Sequence, residues 1–104
     1  MGASVSASLL HVDVTTDDIA EGRRYSACYC PVARALQRAL GPGVQTCVSP
    51  DSALLRPRLP APTLARGGRW SLPVPVRDFV TAFDAGLPVA SFAFDIDLST
   101  LEPV

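Results

Sequence analysis

The sequence predicts a single α+β domain, with about three helices packed on one face of a mainly antiparallel or mixed sheet of four to five strands. Three observations predict it. Residues 8–14 and 89–98 alternate apolar and polar side chains, as strands with one buried face do. Val76, Phe79, Val80 and Phe83 recur at the spacing of one helical face. Glycine and proline punctuate the rest at intervals that leave room for short elements in the order β-α-α-β-β-β-α-β.

In the first strand Leu10, Val12 and Val14 share one face, and Leu9, His11 and Asp13 share the other. Thr15 then offers an N-cap oxygen, and Asp17 and Asp18 sit where the helix dipole favours negative charge. Ile19 is the main apolar anchor of this short helix, and Gly22 with Arg23 and Arg24 marks its far end. Pro31 suits the first turn of a second helix, with Val32, Leu36, Ala39 and Leu40 inward and Arg34, Gln37 and Arg38 in water. Gly41-Pro42-Gly43 stops it.

Residues 44–48 alternate as a second strand, Ser49-Pro50-Asp51 is a turn, and Ala53-Leu54-Leu55 read as a short return strand. Residues 56–68, rich in proline and glycine, read as a long surface loop. Arg69-Trp70-Ser71-Leu72 is a short edge strand, and Pro75 sets up the third helix, capped by Gly86. The closing strand, 89–98, places Phe92, Phe94, Ile96 and Leu98 on one face and Asp95 and Asp97 on the other. The second sheet face is wet or covered by a partner.

The chain has 104 residues and 48% hydrophobic residues, enough for one domain with its own core. A formal net charge of −1 argues against sequence-independent nucleic-acid binding, although the nine basic residues, all arginines, cluster in places. No apolar run reaches the length of a membrane span, and the start lacks the features of a secretory signal. Gly2 and Ser6 match a short myristoylation pattern, but the residues that follow read as a strand. Three cysteines without a signal point to free thiols in a reducing, cytoplasmic setting.

Several groups of residues carry chemistry. Cys30 precedes Pro31 at a helix N-terminus, where the dipole favours a thiolate; it is the candidate reactive thiol, against the alternative of an inert core cysteine. Cys28, Cys30, Cys47 and His11 have the ligand types of a tetrahedral zinc site, without the spacing of familiar fingers. His11, Asp13, Asp95 and Asp97 meet if the first and last strands are neighbours, as a cation site or as a solvated sheet face. The phosphate-loop and dinucleotide glycine motifs are absent, so no cofactor is expected. Arg66-Gly67-Gly68-Arg69 is a loose anion cradle, and Trp70 beside it is either an interface anchor or a lid on the core.

Residues 14–22, Cys30-Pro31-Val32-Ala33-Arg34-Ala35-Leu36, Phe83-Asp84-Ala85-Gly86 and the Phe-rich closing strand together resemble small uncharacterised proteins of bacteriophages, prophages and actinobacteria. The resemblance implies no catalytic residues. It implies a small protein that binds a host or phage component.

The leading expectation is therefore a non-catalytic binding protein engaging another protein, through the wet sheet face or through Arg58, Arg66, Arg69 and Trp70. The alternatives are a small-ligand or metal-binding protein using the Cys28/Cys30 turn, and a small enzyme acting through a Cys30 thiolate. A homodimer, through an unpaired sheet edge or the polar sheet face, fits each of them.

Overall fold

A computed structural model describes residues 9–58, 64 and 66–103. The expectation at Gly2 and Ser6 lies outside the described residues, as does part of the proline-rich stretch. The chain runs β1 (Leu9–Val14), α1 (Thr16–Glu21), α2 (Pro31–Leu40), β2 (Val44–Val48), β3 (Ser52–Pro57), β4 (Gly68–Ser71), α3 (Val74–Asp84) and β5 (Phe92–Asp97). This is the expected α+β order.

The strands divide between two antiparallel sheets, β1-β5 and β2-β3-β4. Helix α2 lies against both β1 and β2, so its apolar stripe forms the centre of the core. Val32 and Leu36 are fully buried there with Val12, Leu55 and Ile96. Its ends follow local rules. The Cys30 sulfur accepts the Ala33 N–H at 3.4 Å, Pro31 opens the first turn, and Gly41 leaves the helix at φ 94°, a backbone region that L side chains rarely adopt.

The segment after β5 returns to the second sheet. The Arg69 and Glu102 backbones exchange hydrogen bonds of 2.8 and 2.9 Å, and Trp70 stacks on Phe94 with ring centroids 5.3 Å apart. From α3, Phe79 packs on Phe92 of β5 at 4.7 Å. Among the described residues no helix is long and apolar enough to cross a membrane.

Two element boundaries and the burial of one loop residue differ from expectation. The last strand is Phe92–Asp97 instead of 89–98, because its pairing with β1, its one strand partner among the described residues, ends at Val14↔Phe92. The Asp97 carboxylate then accepts the Ser99 N–H and O–H, which turns the chain out of the strand. The loop expected at 56–68 is shorter, since β3 continues to Pro57 and β4 begins at Gly68. Pro57 is tolerated because it faces Val44 at a position where the ladder uses no N–H from it. Leu64, within the expected surface loop, is buried in the core.

Candidate functional site

The two edges of the β2-β3-β4 sheet follow from its hydrogen-bond phase. The Arg58 N–H donates to Gly43 and the Ser49 N–H donates to Ser52, which flank the β2–β3 ladder on either side. Antiparallel pairs alternate between hydrogen-bonded and open, so Gln45 and Cys47 bond to β3 while Val44, Thr46 and Val48 turn their backbone groups to the outer edge. The Val48 N–H is taken by the Ala27 carbonyl at 2.7 Å. Among the described residues, the Thr46 N–H and C=O have no backbone partner.

That edge faces a groove of about 540 Å³ lined by Cys28, Tyr29, Arg34, Gln37, Arg38, Gln45 and Thr46. Strand β2 contributes Gln45 and Thr46 to it, and α2 contributes Arg34, Gln37 and Arg38. Arg34 and Arg38, four residues apart, project from the same helix face. The Thr46 hydroxyl, buried under the helix, donates to the Ala33 carbonyl at 3.2 Å and ties the two halves together.

The two arginines differ in what they hold. Arg38 grips Asp18 in a two-pronged pair, Nη1 to Oδ1 at 2.9 Å and Nη2 to Oδ2 at 2.7 Å. Asp18 is fully enclosed, and its Oδ2 also accepts the Thr15 N–H in a capping box. The Arg38 hydrogen bonds, joined by those from Thr15, hold the Asp18 carboxyl down at about 2 against the cost of burial. Oδ1 thus accepts one of these hydrogen bonds and Oδ2 two, while Arg34 stands beyond hydrogen-bond distance. The Arg34 Nε stands 3.7 Å from Oδ1 and its Nη2 3.5 Å from Glu21, and Nε is buried without a hydrogen-bond partner among the described residues. Arg34 thus pairs loosely with two carboxylates: its enclosed Nε faces Asp18, and the partly exposed end of its guanidinium lines the groove.

The rim is built by the segment between α1 and α2. Tyr29 is 60% exposed, with the Arg23 guanidinium 5.7 Å above its ring; Tyr25, on the same segment and 80% exposed, lies outside the groove's lining. Tyr25 adopts φ 58°, held by its N–H donating to the Asp84 carboxylate at 2.9 Å. Across the rim, the Cys28 and Cys47 sulfurs are 2.8 Å apart.

The residues singled out from sequence are mostly dispersed. The four metal-ligand candidates do not converge: Cys28 touches Cys47, Cys30 is buried under the start of α2, and His11 lies on the exposed face of β1. Among the described residues no group of three or more such side chains is arranged to hold a metal ion. The Cys30 helix N-terminus is present, but burial pushes its thiol up, the reverse of an activated thiolate. Arg69 and Trp70 are neighbours on β4 and so point to opposite faces. Trp70 is a half-buried lid stacked on Phe94, Arg58 donates to the Gln45 amide oxygen at 3.0 Å, and Arg66 is exposed.

The first and last strands are neighbours, with His11 directly opposite Asp95. His11 contacts Asp95 at 2.7 Å and Asp13 at 3.1 Å, and these carboxylates raise its pKa, Asp95 first through its hydrogen bond. All three are exposed, and Asp97 has turned away to cap the next turn. The arrangement is a solvated sheet face.

Sequence reasoning missed Tyr25 and Tyr29, though Arg23-Arg24-Tyr25 and Tyr29 are residue types enriched at interfaces. Comparison of the chain with protein-family models, with curated proteins and with solved structures finds no match.

Proposed function

We propose that this protein is a non-catalytic binding protein that takes an extended segment of another protein along the free edge of β2. The observation that carries the reading is the pairing of an unbonded strand edge at Thr46 with the loosely paired guanidinium of Arg34 in one groove. A buried backbone donor and acceptor without partners are costly, and an added strand satisfies both. Arg34 favours an acidic side chain on that segment, because the partly exposed end of its guanidinium lines the groove and is held only by a loose 3.5 Å pair with Glu21. Tyr29 supplies a rigid aromatic contact at the rim.

The reading keeps the protein partner expected from sequence but moves its seat from the wet sheet face or the Arg58, Arg66, Arg69 and Trp70 region to the edge of β2. The resemblance to small phage and prophage proteins supports a partner of host or phage origin.

Selection from a displayed library of random peptides tests it. Enriched peptides are expected to share an acidic position, to perturb the Val44–Val48 amide resonances, and to bind about tenfold or more weakly to Arg34→Ala. Peptides that leave those resonances and the Arg34→Ala affinity unchanged would overturn the reading.

A further inference from the structure

Cys28 and Cys47 come from distant elements, the segment before α2 and the middle of β2, yet their sulfurs are in direct contact at 2.8 Å. The third cysteine is excluded from this pair by its position under α2. Cys28 is exposed and Cys47 partly so, which leaves both open to a solution oxidant. The surrounding backbone already holds them in register, because the Val48 N–H bonds to the Ala27 carbonyl one residue away on each side. Sulfurs brought this close by two separately anchored backbones need to approach by only roughly 0.8 Å more to reach bonding distance.

We propose that Cys28 and Cys47 are a reversible dithiol–disulfide site that staples the segment before α2 to the edge strand β2. The oxidant is a low-molecular-weight disulfide of the glutathione class. The exposed Cys28 thiolate attacks one sulfur of that disulfide, forming a mixed disulfide and releasing one thiol. The Cys47 thiolate then attacks the Cys28 sulfur and expels the second thiol. Two protein thiols are oxidised, one external disulfide is reduced to two thiols, and the cysteine protons pass to the departing thiolates.

The Cys47 thiol is held up at about 11, first by its hydrogen bond to Cys28 and then by burial. Formation of the mixed disulfide removes Cys28 as a thiol partner, while Arg56 continues to favour the Cys47 thiolate. The first step therefore prepares the second. Closing the bond fixes the mouth of the groove, since Cys28 lines it and Cys47 belongs to the strand beneath. The chemistry of the pair stands whether or not the groove accepts a peptide.

The test is incubation of the reduced, full-length chain with mixtures of reduced and oxidised glutathione at mildly alkaline pH, acid quenching, alkylation and intact mass. The expected product is lighter by two hydrogens, has lost two alkylation sites, and yields a Cys28–Cys47 linked peptide with Cys30 free. In Cys47→Ser, a glutathione adduct on Cys28 accumulates because nothing resolves it; Cys28 is exposed, so Cys28→Ser folds normally and shows no internal link. A stable glutathione adduct on Cys28 in the wild type, a link through Cys30, or exclusively intermolecular dimers would each overturn the proposal.

Discussion

The three-stranded sheet has two edges, and the chain treats them in opposite ways. On the β4 side, Arg69 exchanges both backbone hydrogen bonds with Glu102, and Leu101 and Glu102 close over Gly68 so tightly that a Cβ there would lie 2.8 Å from each. On the β2 side, the Val48 N–H is answered by Ala27 and the Val44 N–H by Gly41, and among the described residues only Thr46 between them has no backbone partner and looks into a groove. An open edge is a liability that folded proteins ordinarily cover. This chain covers one edge with its own backbone and surrounds the other with arginine, tyrosine and glutamine. That difference is the ground on which docking of a second chain at the β2 edge is proposed.

The largest expected effect comes from Asp18, which holds Arg38 in the two-pronged pair. Asp18→Ala removes the capping box and the two hydrogen bonds from Arg38, whose guanidinium is half exposed and stays hydrated, and should cost about 3 kcal/mol in chemical denaturation. The same pair makes the fold acid-sensitive. Because the folded carboxyl sits at about 2 against 3.8 in a free chain, its contribution is complete above 3.8 and is lost as the pH falls through about 2. A denaturation midpoint that stays flat over that interval would remove the buried pair from the account.

Oxidation of Cys28 and Cys47 closes a loop that contains α2, from the segment before it to β2, and should stabilise the fold by about 3 kcal/mol, seen as a higher melting temperature reversed by reductant. Gly68→Val attacks the closed edge. The clash with Leu101 and Glu102 should cost about 2 kcal/mol and release β4 for pairing, giving concentration-dependent self-association in sedimentation. If that variant stays monomeric and stable, Glu102 is not what protects β4. The smallest effect is at His11. Its pKa is raised by Asp95 and Asp13, so its contribution is full below the free value of 6.5 and fades as the pH rises through the higher folded value. An NMR titration midpoint at or below 6.5 would contradict the Asp95 contact.

The local elements were legible because local chemistry decides them. Thr15 caps α1, Pro31 opens α2, Gly41 ends it, and Val76, Phe79 and Val80 fix the buried face of α3. The neighbouring placement of His11 and Asp95 was legible as a condition on strand order, and the pairing met it. The groove was not legible. Asp17 and Asp18 look alike as acidic residues in a first helical turn, and only tertiary packing buries Asp18 against Arg38 from another helix. The free edge of β2 depends on which strands pair, and the Cys28–Cys47 contact depends on where that edge meets the segment before α2. The opposite faces of Arg69 and Trp70 did follow from the strand expected at 69–72, and they rule out a single patch built from both.

Hydrogen exchange at two amides tests the contrast between the edges most directly. The account predicts that the Arg69 N–H, bonded to Glu102, is protected, while the Thr46 N–H exchanges much faster and slows when a groove-binding peptide is added. Equal protection of both amides in the free protein would mean that the β2 edge is already satisfied, and would contradict the account.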